Sequence, residues 1–170
     1  MPELPEVETT LRGVEPWVVG KQITEVVIRQ RSLRWPIPIE IGEDLVGKNI
    51  VSARRRGKYI LLELSSGETL IIHLGMSGSL RIVAGKNEEW RKHDHVGLAV
   101  KGGKQLRFHD PRRFGCWLIC AADEVPEESH SLLKALGPEP LGGEFDTDYL
   151  WQSMRKRKVA IKQLLSLIHI

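Results

Sequence analysis

Apolar residues recur at Val7, Leu11, Val14 and Val18, at spacings of four, three and four. That period predicts one apolar face of a helix, ended by Gly20. The helix starts close behind Pro2, so its positive N-terminal end lies near Glu3 and Glu6. The pattern then changes. QITEVVIR, NIVSARRR, KYILLEL, ETLIIHL, HVGLAV, KQLRFHD and CWLICA are short β-rich runs. Turn signals separate them, among them SSG at 65–67 and GG at 102–103. Many short strands behind one helix predict an antiparallel sandwich or barrel.

From residue 129 the texture is helical again. SHSLLKALG reads as a short helix stopped by Gly137, GPEPLGG as a linker, and DTDYLWQSMRKRK as a helix capped by Asp146 or Thr147. The closing run LLSLIHI begins an apolar segment and stops. A helix interrupted there leaves an apolar face uncovered. We therefore expect either a fragment or final residues that are not authentic.

The chain has 170 residues, 41% of them hydrophobic, enough for one domain with a sizeable core and part of a second. The net charge of +3 is mild, but its distribution is uneven. Arg54, Arg55, Arg56 and Lys58 form one basic run and Arg112 with Arg113 a second. Arg155, Lys156, Arg157 and Lys158 form a third, followed by Lys162. Three clusters form a nucleic-acid footprint if folding brings them together; singly, each reads as a solvated face. Cys116 and Cys120 share a strand face about 13 Å apart, too far for a disulfide, and read as core thiols in a reducing compartment. No apolar stretch is long enough to span a membrane, and the acidic N-terminus is unlike a signal peptide, so a cytoplasmic protein is expected.

Several positions carry candidate chemistry. Removal of Met1 exposes the Pro2 nitrogen as a secondary amine, and an α-amino group titrates at roughly 8, leaving a useful neutral fraction near pH 7. A neutral amine attacks electrophilic carbon, and a secondary one gives a permanently charged iminium. Glu3 beside it can serve as acid or base. The ordinary reading is that Pro2 simply starts a helix. Lys58 follows Gly57 at the head of an apolar strand, placed either on the surface or beside a sugar-phosphate. Met76 lies between Gly75 and Gly78, as a core residue or as an apolar wedge between bases. DPRRFG puts Arg112, Arg113 and Phe114 in one turn, a composition suited to phosphate contacts and stacking. His93 and His95 look like half a metal site, but no third ligand is near, so His93 reads as a phosphate donor and no metal is expected. His73 and His109 read as structural strand residues.

Taken together, MPELPEVET, RRRGKY, HLGMSGSLR, KHDHV, DPRRFG and LGPEPL resemble the bacterial formamidopyrimidine-DNA glycosylase family, in the family order and nearly to Lys162. The resemblance implies an α+β fold, with an N-terminal helix packed on an antiparallel β-sandwich, then the first helices of a truncated helical DNA-binding domain. Residues 1–136 would be the catalytic sandwich domain, and 137–170 the linker and start of a helix-two-turn-helix domain. The implied activity is excision of oxidised purines (8-oxoguanine, formamidopyrimidines) from duplex DNA, with cleavage at the abasic site. Pro2 would be the nucleophile at C1′, Glu3 the proton donor and Lys58 the aid to β-elimination. Met76, Arg112 and Phe114 would fill the gap left by the flipped nucleotide, while His93, Arg112, Arg157 and Lys162 would contact DNA. Flipping is physically required, because C1′ and the damaged base are shielded inside the stack. The implied partner is damaged double-stranded DNA, with no membrane, and the protein a monomer. No cofactor is expected in this chain; a full-length member would carry zinc on a four-cysteine finger. As a fragment the chain would be weakly active or inactive, and the competing readings are a non-catalytic DNA-binding module and a non-functional remnant.

Overall fold

The computed structural model describes residues 1–85 and 87–168, and side chains only as far as residue 165. The expectation of an uncovered apolar face on the last residues falls largely on 166–170, outside the described side chains. Two compact units are formed, Met1–Val125 and Pro126–Ile170. Residues 126–136, grouped above with the sandwich, are described with the second unit.

The first unit opens with α1 (Leu4–Val18), whose buried residues are Val7, Leu11, Val14 and Val18, the face expected from their spacing. Eight strands follow: β1 (Ile23–Ile28), β2 (Ile50–Arg56), β3 (Tyr59–Leu64), β4 (Thr69–His73), β5 (Ser79–Val83), β6 (Asp94–Val100), β7 (Lys104–His109) and β8 (Cys116–Cys120). A 3-10 turn at Glu43–Leu45 interrupts the long connection between β1 and β2. The strands make two antiparallel four-stranded sheets, ordered β1-β6-β7-β5 and β2-β3-β4-β8. Their inner faces meet through Ile60, Leu62, Leu70 and Ile72 from one sheet and Val96, Leu98, Leu106 and Phe108 from the other. The apolar face of α1 joins this core and packs on β2 and β3 of one sheet and β5 and β7 of the other. Sandwich rather than barrel is therefore the outcome. Cys116 and Cys120 are both buried on β8.

Strand β5 was not expected, because SLRIV is short and carries Arg81 at its centre. It forms at the edge of its sheet, where Arg81 reaches the buried Asp94 carboxylate with two hydrogen bonds of 2.8 and 2.6 Å.

In the second unit the helix expected over 129–137 is not formed. A single turn, α2 (Pro126–Ser129), lies earlier, and 131–135 are turns. The His130 ring accepts from the Leu132 amide at 3.4 Å, a local alternative to helical pairing. The helix α3 (Thr147–Met154) is capped by Asp146, whose carboxylate accepts from the Tyr149 amide at 2.7 Å. It stops before the basic run: Arg155 is extended and Lys156 has φ +64. The helix α4 spans Ile161–Ile168.

Candidate active site and nucleic-acid interface

The β2–β3 hairpin turns on Gly57 and Lys58, with Arg56 opposite Tyr59. Gly57 adopts φ +56, a backbone that two-residue hairpin turns favour and side chains resist. The turn delivers Lys58 to the N-terminus of α1, where its Nζ lies 2.9 Å from Glu3 Oε2. The lysine side chain is only 8% exposed, so its charge is met by this carboxylate rather than by bulk water. Glu3 in turn is held at the helix start by its own amide, which donates to Glu6 Oε2 at 3.0 Å. Glu8 fixes the helix to the hairpin: it accepts from Arg55 Nε at 2.8 Å and from Arg12 at 2.9 Å. The Arg55 bond chiefly, then that of Arg12, holds the Glu8 carboxyl below its usual range. The basic run of β2 is thus largely committed inside the fold, since Arg54 also pairs with Glu63 at 3.0 Å.

Beside this end of α1 lies a cavity of about 640 Å³ whose lining includes Met1, Arg34, His73, Met76, Arg112 and Phe114. Met76 and Phe114 are each 42% exposed, unusual for large apolar side chains at the mouth of a cavity, and the Arg112 guanidinium lies 4.8 Å from the Phe114 ring centre. Their two loops meet backbone to backbone. Gly75 sits at φ +67, and a Cβ there would come within 2.5 Å of Phe114 and Gly115 main-chain atoms. Only glycine allows that approach.

Asp110 locks the arrangement. Its fully buried carboxylate accepts from Ser77 Oγ at 3.1 Å on the Met76 loop and from the Gly115 amide at 2.8 Å on the Phe114 turn. Its amide donates to the His93 carbonyl at 3.0 Å, and its carbonyl lies 2.8 Å from His95 Nε2. One residue therefore ties together the segments bearing Met76, His93 and Phe114. Sequence reasoning passed over it, although an acid just before proline in a turn is a usable signal. His95 is committed to this lock rather than to a metal. Among the described residues no cluster of three or more His, Cys, Asp or Glu side chains is placed to hold a metal ion.

The segment leading to His93 is clamped from the sheet. Arg107, fully buried, donates to the carbonyls of Glu88 and Glu89 at 2.5 and 2.7 Å and lies 4.1 Å from the Trp90 ring centre, with Arg29 also within 5.2 Å of that ring. His73, read as a structural strand residue, ends β4 and also lines the cavity. Its Nδ1 accepts from the Gly75 amide at 3.0 Å, which in the neutral ring leaves the proton on Nε2. Burial first, then the charges of Arg34 and Lys58, push its pKa down to about 4, so it is neutral at pH 7.

This helix and two-sheet sandwich have counterparts among known proteins. The sequence model of the formamidopyrimidine-DNA glycosylase N-terminal domain matches residues 1–117. The chain belongs to the formamidopyrimidine-DNA glycosylase family. It is 52% identical over 170 residues to the formamidopyrimidine-DNA glycosylase of Thioalkalivibrio sulfidiphilus and 51% identical to that of Shewanella halifaxensis. It spans 61% and 60% of the length of those relatives. Among solved structures it is similar to Lactococcus lactis formamidopyrimidine-DNA glycosylase bound to DNA containing an abasic site. That match has a TM-score of 0.84 and 33% identity, and covers 98% of this chain and 64% of that one. A complex of the same Lactococcus lactis protein with DNA containing an oxidised pyrimidine is similar at a TM-score of 0.84 and 32% identity.

Of the positions that the family resemblance singled out, Glu3 and Lys58 are in direct contact, and Pro2 adjoins them by sequence. Met76, Arg112 and Phe114 share the cavity, and His93 is tied to Asp110 beside it. Arg157 and Lys162 belong to the second unit, both exposed, Arg157 just beyond α3 and Lys162 on α4.

Proposed function

We propose that this chain is the catalytic portion of a DNA repair glycosylase with abasic-site lyase activity, acting on oxidised purines in duplex DNA. The observation that carries the reading is the 2.9 Å pair between Glu3 and the buried Lys58, formed at the residue next to Pro2. With Met1 removed, the Pro2 nitrogen is a free secondary amine at the positive end of α1, where the helix dipole favours the unprotonated, nucleophilic form. It attacks C1′, the glycosidic bond breaks, and Glu3 passes a proton to the departing base. The nitrogen lone pair then opens the sugar ring, breaking C1′–O4′ as O4′ takes up a proton, and the resulting iminium draws electrons away from C2′, so that loss of a C2′ proton expels the 3′ phosphate. Lys58, held by Glu3, stands where it can assist that transfer. Met76, Arg112 and Phe114 fill the space vacated in the helix and help offset a stacking loss of a few kcal/mol. His93, Arg157 and Lys162 serve as DNA contacts. We assign the protein to the cytoplasm as a monomer; among the described residues no helix is long and apolar enough to cross a membrane.

Glu3→Gln, made in the chain joined to the C-terminal part of a relative, tests the division of labour. Release of 8-oxoguanine should be lost, while cleavage of a preformed abasic site, which needs no leaving-group proton, should persist in part. Equal loss of both activities contradicts the assignment.

A further inference from the structure

Resting on the DNA reading above, we propose that Arg34 is a dedicated anchor for a backbone phosphate of the strand that carries the damaged nucleotide. Arg34 stands at the tip of a short loop pinned by a bridge between Ser32 and Pro36. Leu33 and Ile37 on either side of the tip are buried, at 7% and 3% exposure, so the loop is held by the core. Arg31 braces its base by donating to the Ile37 and Pro38 carbonyls at 3.3 and 3.1 Å. The Arg34 amide donates to the Gly115 carbonyl at 3.3 Å, joining the loop to the turn that bears Phe114. Its guanidinium lies 4.7 Å from the Trp35 ring centre. Stacking of that kind orients the planar fork while leaving its N–H donors open, which is the state suited to a bidentate phosphate contact.

Three arginines line the cavity, Arg34, Arg112 and Arg113, and Arg34 differs in stacking on the indole of its own neighbour Trp35. The Lys58 ammonium is engaged by Glu3, and His73 is neutral. Among the described residues no carboxylate is paired with Arg34, and its charge, after burial, helps hold the neighbouring His73 ring neutral. Arg34 thus supplies unneutralised positive charge on the wall of a cavity that Met1 also lines. A sugar brought to the N-terminal nitrogen carries its own phosphates into that cavity, which identifies the strand.

The test uses the 170-residue chain at low salt, with fluorescence anisotropy on a duplex bearing a tetrahydrofuran abasic analogue. Single methylphosphonates replace, one at a time, the phosphates flanking the analogue. The wild-type chain should lose affinity at one of these positions. Arg34→Gln should bind the unmodified duplex more weakly, lower the slope of log K against log salt by about 0.9, and no longer sense that methylphosphonate. Arg34→Lys should keep the slope, and Lys104→Gln, outside the cavity, should match wild type. Unchanged slope and unchanged methylphosphonate sensitivity in Arg34→Gln would overturn the Arg34 assignment and leave the DNA reading standing. A wild-type chain that prefers no abasic duplex over an intact one would overturn the DNA reading and the assignment with it.

Discussion

Asp110 accepts a hydroxyl and an amide on the two oxygens of a carboxylate with no exposed surface. Removing it leaves both donors unmatched, and hydrogen bonds to charged groups are worth about 1.5–3 kcal/mol each. Asp110→Ala should therefore destabilise the chain by about 2 kcal/mol or more in urea unfolding. Ser77→Ala removes only the arm to the Met76 loop and should cost about half as much; equal stability of Asp110→Ala and wild type would show that the lock is not needed for the fold. His73 gives a pH signature with a definite sign. Its pKa falls from 6.5 unfolded to about 4 folded, so between these values the unfolded chain binds more protons. The contribution is fully present above pH 6.5 and is lost as pH falls toward 4. Thermal melts should decline over that window, and His73→Gln should flatten the decline. Paired carboxylates such as Glu68, held at about 2 chiefly by Lys48 and then Ser66, act lower, below pH 4.5, and keep the two effects separable. In the proposed function Met76 and Phe114 serve recognition rather than stability. Alanine at either should weaken discrimination for damaged duplex in competition binding while leaving affinity for intact duplex nearly unchanged.

The hairpin turn at Gly57, the cap of α1 and the loop bearing His93 are each positioned by one or two side chains from another element. The Trp90 ring lies close to both Arg107 and Arg29, and Arg107 also holds the carbonyls of Glu88 and Glu89. Arg107→Leu should raise amide exchange across residues 88–93 far more than across β2 or β3; uniform protection would contradict this clamp. Such dependence explains which elements could be read from the chain. α1 is legible because its apolar period is local and complete. β5 is not, because its stability comes from edge pairing with β7 and from Arg81 reaching Asp94, neither of which a five-residue window contains. The helix read at 129–137 had the right composition, but His130 and neighbouring turns took its backbone bonds. In the site, Pro2, Glu3 and Lys58 stood out through residue type and resemblance. Asp110, Arg34 and the cavity-facing role of His73 emerge only when segments distant in sequence meet.

Two compact units divide the chain, and the proposed contacts divide with them: the chemistry in Met1–Val125, Arg157 and Lys162 in Pro126–Ile170. Arg157→Ala should weaken binding to all duplexes alike and lower the salt slope by about one phosphate contact, whereas the wedge substitutions should leave that slope unchanged. Residues 1–170 span 61% of the length of the Thioalkalivibrio sulfidiphilus relative. Residues 1–170 alone should release little 8-oxoguanine, and addition of a relative's C-terminal part should restore release. The claim that organises all of these is that the N-terminal nitrogen beside the Glu3–Lys58 pair is the nucleophile. Borohydride reduction of the joined chain on an abasic duplex, followed by peptide mass spectrometry, addresses it most directly. The account predicts a covalent DNA adduct on Pro2 that is lost when the N-terminus is blocked or Met1 is retained; an adduct on Lys58, or one that survives the block, would contradict it.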